Sequence, residues 1–252
     1  MLRDYLIICP LVFIAGFIDA VAGGGGLISL PAYFITGIPV HSCVATNKMS
    51  AFMGTSVTTV KYARDGFIPW KTAVFCIPCA FLGSAIGANA ALMIPDRIFK
   101  AVLVIIIPFT GVLILTKKDI LNPKRSFSER ITILICAASS LIIGVYDGFY
   151  GPGTGTFLLL LLTGMAGMEL TRANGLTKAV NFTTNLSALA VFLIRDQVIL
   201  PLGIVAGLFN IAGNYIGATR FEKSGSKIVK PVMIAVLAVF FVKLMLELIG
   251  EG

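Results

Sequence analysis

Apolar runs long enough to cross a lipid bilayer recur along the whole chain, at Tyr5–Ala22, Trp70–Ile94, Ile98–Thr116, Ile131–Tyr150, Val198–Ala218 and Ile228–Ile249. About 20 apolar residues wound as a helix span the hydrocarbon core of a membrane. Packing so many runs inside a water-soluble domain would demand a charged exterior, and the chain lacks one. Only 13% of its 252 residues are charged, against about 25% in ordinary soluble domains. Within lipid every backbone N–H and C=O must find its partner in the protein, which leaves helices and closed barrels. Barrel strands alternate apolar and polar residues, and these runs do not. The sequence therefore predicts an all-α integral membrane protein.

Charge and cysteine usage agree with that reading. A net charge of +8 would suggest nucleic acid as the partner of a soluble protein. Here the basic residues gather in short connections, Lys117 to Arg130 and Arg220 to Lys230, as the cytoplasmic bias of positive loops requires. The expected partner is the lipid bilayer, with no nucleic acid. The 5 cysteines form no disulfide framework, and Cys76-x-x-Cys79 sits inside an apolar run, where small residues pack helices. The first run lacks the short apolar core and small-residue cleavage site of a secretory signal and is read as a retained helix.

The chain also repeats itself. Gly16-Phe17-Ile18-Asp19 matches Gly144-Val145-Tyr146-Asp147, and each precedes a glycine cluster: Gly23 to Gly26, and Gly151-Pro152-Gly153-Thr154-Gly155. Lys48 matches Lys178, Arg64-Asp65 matches Arg195-Asp196, Gly83–Ala88 matches Gly213–Ala218, and Lys100 matches Lys230. The spacing stays between 128 and 131 residues, so the predicted organisation is a first repeat over 1–116, a basic linker over 117–130 and a second repeat over 131–252. In each, a long helix ends in an Asp and a Gly cluster. A short apolar piece follows (Leu27–Ile38; Phe157–Met165), then a helix opened by a Lys (Thr46–Tyr62; Leu176–Ile194), then two long helices. The expected fold is a duplicated bundle of about 8 long transmembrane helices and 2 short broken or re-entrant segments. Whether the short pieces cross or turn back decides the symmetry. The crossing arrangement divides the 20 basic residues more unevenly between the two sides, which favours inverted repeats.

Unwound chain at membrane depth survives only inside protein or along a water-filled cavity. Glycine breaks at corresponding places in two repeats are the best sequence pointer to a transporter site. Gly24, Gly25, Gly26, Gly151 and Gly153 permit close approach and leave amides free for an anion, with Thr154 beside them. Asp19 and Asp147 end the preceding helices. A carboxylate in the bilayer normally faces a cavity or a partner, so each is read either as a proton-coupling group or as a cap on the glycine amides. Lys48 and Lys178, in Thr46-Asn47-Lys48 and Thr177-Lys178, sit at expected helix starts, where a cation opposes the dipole. A bound anion, an Asp partner or snorkelling to the interface would explain them. Asn181 and Asn185 follow Lys178 on one helical face. Ser50, Thr55 and Thr184 could add hydroxyls. Asn89, Asn210 and Asn214 would either line the same path or bond helices together. The candidate substrate-binding set is Gly24, Gly25, Gly26, Thr46, Asn47, Lys48, Gly151, Gly153, Thr154, Thr177, Lys178 and Asn181. Gly83-x-x-x-Gly87 and Gly213-x-x-x-Gly217 are small-residue packing motifs, and Pro78 and Pro108 would kink their helices. His41 is the only histidine and has no acidic or thiol cluster at ligand spacing, so neither a metal site nor a cofactor is expected.

Two stretches resemble a known family. Asp19 through the four glycines to Leu30-Pro31, with Ala45-Thr46-Asn47-Lys48, is similar to the first half of the TauE/SafE sulfite-exporter-like membrane proteins. Tyr146-Asp147-Gly148-Phe149-Tyr150-Gly151-Pro152-Gly153-Thr154-Gly155-Thr156 resembles their second-half signature. The resemblance implies a multi-pass transporter of the bacterial inner membrane acting on sulfite, sulfonates or related organosulfur anions, with no established set of binding residues. The expected function is export of such a small anion by alternating access with proton coupling. A homo-oligomer is compatible with the sequence. Two other classes stand beside it. An intramembrane aspartyl protease would use Asp19 and Asp147, but its Gly-x-Gly-Asp motif is absent. An ion channel or cation permease would need more intramembrane carboxylates than Asp19, Asp147 and Glu247.

Overall fold

The computed structural model describes residues 2–99, 101–102 and 127–219. The run Ile228–Ile249, nearly all of Ile98–Thr116 and most of the 117–130 linker lie outside them, as do Pro108, Glu247 and the Lys100–Lys230 match. Among the described residues the secondary structure is all helical. It runs α1 (Leu2–Ala22), α2 (Gly26–Phe34), α3 (Val40–Arg64) and α4 (Trp70–Leu92), then α5 (Glu129–Phe149), α6 (Thr154–Gly164), α7 (Leu170–Ile194) and α8 (Leu200–Thr219). The order long, short, long, long thus occurs twice.

Four of these, α1, α4, α5 and α8, are long and apolar enough to cross a membrane. Helices α3 and α7, each of 25 residues, are long enough as well, but they carry the polar side chains. Thr46, Asn47, Lys48, Ser50, Thr55 and Thr58 of α3 are buried, as are Asn174, Thr177, Lys178, Asn181, Thr184 and Asn185 of α7. The apolar helices turn large side chains outward instead: Val74, Leu82, Ile86, Leu134, Ile142 and Leu208 are each more than half exposed. Polar inside and apolar outside is the reverse of a water-soluble bundle, and it fits a lipid-facing exterior.

Small residues bring the helices together. Gly213 and Gly217 of α8 lie against the carbonyls of Phe13 and Phe17 on α1, so these two helices run the same way. Gly83 and Gly87 of α4 face the carbonyls of Leu141 and Val145 on α5, and Gly144 and Gly148 face Ala80 and Ser84 in return. This pair is also parallel. Met49 and Met53 of α3 meet Gly203 and Gly207 of α8 in ascending order, whereas α3 and α7 run oppositely, with Phe52 stacked on Phe182 and Thr59 donating to the Lys178 carbonyl at 3.1 Å. The contacts recur in exchanged form: α1 packs most extensively on α8 and α4 on α5, while α3 packs on α8 and α4 on α7.

After its glycine break α2 lies antiparallel to α1. Leu27 and Ile28 of α2 pack with Ala15 and Ile18 of α1, while Leu30, Tyr33 and Phe34 reach Ile8 and Val12 nearer the start of α1. The short helices begin at Gly26 and Thr154, close to the expected places. The expected start of the third segments is corrected. Helices α3 and α7 begin at Val40 and Leu170, so Lys48 and Lys178 lie more than two turns inside rather than at the opening. The connection between short and long helix is shorter than expected, because Val40, Cys43, Val44 and Ala45 pack with residues of α1 and α2 and are drawn into the helix.

Candidate functional site

Helices α1 and α5 end in acid. Asp19 and Asp147 fall in their last turns, where the helix dipole is negative and a carboxylate is unfavourable without a cation. The cations come from the other half of the chain. Lys48 Nζ of α3 lies 2.8 Å from Asp147 Oδ2, and Lys178 Nζ of α7 lies 3.3 Å from Asp19 Oδ2 and also donates to the Asp19 backbone carbonyl. Both ammonium groups are fully enclosed, at 2% and 0% exposure. Snorkelling to the interface is therefore excluded as their role, because the long stems run into the bundle. The carboxylates are engaged differently from the cap that the sequence suggested. Asp147 Oδ1 accepts a 2.7 Å hydrogen bond from Thr154 Oγ1, and neither side chain accepts a backbone N–H among the described residues. The Lys48 ammonium faces Asp147 Oδ2 as a charge pair without also making a well-aligned hydrogen bond to it.

The two glycine breaks touch. Gly23 and Gly24 adopt φ of +67° and +106°, and Gly151 and Gly153 of +98° and +87°, a region that side chains resist. A Cβ on Gly23 would sit 3.1 Å from the Gly155 carbonyl carbon, and one on Gly26 3.0 Å from Pro152 Cα. Thr156 Oγ1 donates across the junction to the Gly23 carbonyl at 3.0 Å. A Cβ on Gly151 would sit 2.9 Å from Lys48 Nζ, so the missing side chain there is the space that the ammonium occupies.

At this junction lies a cavity of about 50 Å³. Asp19, Gly24, Gly25, Gly26, Asn47, Lys48, Asp147, Gly151, Gly153, Thr154 and Asn181 of the expected set all line it. Thr46, Thr177 and Lys178 do not. Thr46 is buried and accepts a hydrogen bond from the Ile199 amide at 3.1 Å. The Thr177 hydroxyl is buried without a partner among the described residues, and Lys178 is turned into Asp19. Thr55, Gly155, Asn185 and Asn210 also line the cavity, with Ala15, Ser29 and Ala51, which sequence reasoning missed. Helical spacing could have found two of these, since Ala15 is one turn before Asp19 and Ala51 one turn after Lys48. Of the remaining polar candidates, Asn214 bonds Asn210 and Thr58, Ser50 accepts from Tyr33, and Asn89 bonds its own helix. These act as interhelical glue or local bonds.

Helices α2 and α6 both start at the cavity wall. The amides of Leu27, Ile28 and Thr154 bond the carbonyls of Gly24, Gly25 and Gly151, which leaves those of Gly25, Gly26 and Gly155 lining the cavity without a backbone partner among the described residues. Asn47 Oδ1 and Asn181 Oδ1 are buried with no hydrogen-bond partner among the described residues. A side-chain amide can turn over to offer its NH₂ instead. Two helix N-termini, the Lys48 ammonium and two side-chain amides therefore share one small space with the carboxylates of Asp19 and Asp147, so charges of both signs line it. No group of three or more His, Cys, Asp or Glu at metal-binding distance occurs among the described residues.

Comparison with known proteins gives a consistent picture. Three relatives all carry the name probable membrane transporter protein. ORF9 of Sinorhizobium sp is 33% identical over 236 residues, covering 93% of this chain and 90% of its own. A Haemophilus influenzae protein is 34% identical over 223 residues, covering 88% and 87%. YfcA of Escherichia coli K12 is 30% identical over 242 residues, covering 94% and 88%. No solved structure matches the chain. The family model described as sulfite exporter TauE/SafE matches residues 8–244. With nearly its whole length matched, and with apolar-surfaced helices closing over a polar centre, this multi-pass membrane protein belongs to the TauE/SafE family.

Proposed function

We propose that the chain is a secondary transporter of the cell inner membrane that exports a small anion by alternating access with proton coupling. The substrate is sulfite, a sulfonate or a related organosulfur anion. The direction and the sulfur chemistry rest on the family's description. The anion class rests on the site. The observation that carries the reading is the meeting of two unwound glycine segments, one from each half, around a polar cavity inside an apolar-surfaced bundle. The cavity volume admits about three to five water-sized spheres, which favours a compact oxyanion over a bulky substrate. An oxyanion there would receive amides from the starts of α2 and α6 and the charge of Lys48.

Alternating access is supported by the arrangement of the halves. We read them as inverted repeats, 1–116 and 131–252 joined by a basic linker at 117–130. In that reading α1 and α3 run one way, α5 and α7 the other, and α2 and α6 run counter to their neighbours. The full count of about 8 long transmembrane helices belongs to the same proposal.

The test is flux from proteoliposomes loaded with sulfite or methanesulfonate under an imposed pH gradient. Efflux above protein-free vesicles that follows the gradient, and its loss in Lys48→Gln, are the expected results. Flux equal to protein-free vesicles for every small anion tried would refute the reading. The protease alternative needs two carboxylates sharing a proton, whereas each aspartate here is engaged by a lysine of the other half.

A further inference from the structure

The two crossed ion pairs are related by the repeat, yet they are not equivalent. Lys178 is fixed twice, by the backbone carbonyl and the carboxylate of Asp19, and it does not line the cavity. That carbonyl also accepts the Gly23 amide at 3.0 Å, so Lys178 adds a second bond at the end of α1, and turning toward a solute would cost it both of its contacts with Asp19. Lys48 has no such tie and lines the cavity together with its partner Asp147. The hydroxyl of Thr154 also distinguishes the second pair. It lies 2.7 Å from Asp147 Oδ1 and 2.5 Å from the Gly151 carbonyl, so its proton has a second acceptor ready. The position equivalent to Thr154 in the first repeat is Gly26, which has no hydroxyl.

Building on the transport reading, we infer that Lys48 and Asp147 form the coupling site, in which a singly charged anion takes over Lys48 while Asp147 takes up one proton. The exchange balances. Before it, the ammonium and the carboxylate cancel. After it, the ammonium and the anion cancel, and the carboxylate has become a neutral acid. Thr154 can then donate to the Gly151 carbonyl and accept from the new O–H. A buried charge without compensation is costly, so the anion and the proton occupy the site together and cross as a neutral pair, whose direction is set by the anion and pH gradients together: it runs outward when the anion gradient exceeds the opposing pH gradient. The site selects a monoanion, such as hydrogensulfite or a sulfonate. A dianion would leave one negative charge unmatched. Other ionisable groups near Asp147 do not compete for the role. On α1, Asp19 is held by Lys178 of α7. On α3, the Tyr62 hydroxyl is directed to the Ala20 carbonyl. On α2, Tyr33 bonds Ser50. On α4, the groups are Cys76, Cys79 and, at the exposed far end of α5, Lys71. On α5 itself, Tyr146 bonds the Pro152 carbonyl, and Tyr150, just beyond the helix, packs in the apolar cluster with Tyr33 and Phe99 and does not line the cavity.

The test titrates the purified full-length protein in detergent with methanesulfonate in weak buffer, reading proton uptake with a pH dye and binding by calorimetry. The wild type and Asp65→Asn, which lies outside the site, are expected to take up about one proton per anion, with affinity falling about tenfold per pH unit as pH rises. Asp147→Asn should bind the anion without proton uptake and with a flat pH profile, and Lys48→Gln should lose binding. Sulfate should bind the wild type at least about tenfold more weakly than methanesulfonate, since it leaves a charge unmatched. An infrared band of a carboxylic acid should appear on adding methanesulfonate to the wild type and should move in frequency in Asp147→Glu. Proton uptake retained in Asp147→Asn, or the band unmoved in Asp147→Glu or absent from the wild type, overturns the inference. The infrared comparison decides the matter even if Asp147→Asn does not fold. Anion binding by the wild type with no proton uptake sinks this coupling site and leaves the transport reading standing. No binding of any small anion overturns both.

Discussion

Lys178 and Gly151 show how much of this site rests on single residues. Removing the ammonium with Lys178→Met leaves the Asp19 carboxylate without its partner at the negative end of α1, a loss of about 3–5 kcal/mol for a broken buried pair. Melting curves in detergent should show it, and the double change Lys178→Met with Asp19→Asn should recover most of the stability. Gly151→Ala acts otherwise. At φ +98° a side chain strains the backbone by about 1–3 kcal/mol, and its methyl would crowd Lys48 Nζ and Asp147 Oδ1. We expect it to cut anion flux sharply. Gly37→Ala is the control, because φ there is +81° but nothing lies within 4 Å. That variant should carry the strain and keep transport. The types of these residues were legible in the sequence. Their partners were not, because the lysines pair across a separation of about half the chain, which no local spacing encodes.

At the scale of elements, the small-residue motifs read from sequence lie at close helix contacts, Gly83 and Gly87 against α5 and Gly213 and Gly217 against α1. Gly87→Leu would drive a branched side chain into the backbone of α5 near Val145. Overpacking of that kind costs about 1–3 kcal/mol or more, and thermal unfolding should register it, with Ile86→Leu, more than half exposed on the same helix, as the reference. The four long apolar helices among the described residues fall within three residues of the expected ends, since hydropathy alone marks a lipid-facing span. The starts of α3 and α7 were missed by six residues in each case. Their first turns hold buried groups such as Cys43, Val44 and Ala173, and what makes them helical is tertiary contact rather than a capping signal.

For the whole molecule, the direction of the helices yields a test that needs no substrate. Asp65 and Asp196 are exposed at the ends of α3 and α7, which run oppositely past each other. In a cysteine-free background, Asp65→Cys and Asp196→Cys should react with a membrane-impermeant maleimide from opposite faces of the membrane. Labelling of both from the same face would reject the inverted arrangement.

The sequence by itself determined the solvent of this protein, the repeat and the residue types at its centre, because apolar length, matched spacing and paired glycine breaks are properties of the chain read in order. Only the tertiary structure decided which lysine meets which aspartate and that the two breaks close on one cavity. It also decided that the two equivalent pairs differ. Each of these depends on helices distant in sequence being pressed together, and the energy that selects one pairing over another exists only after they are.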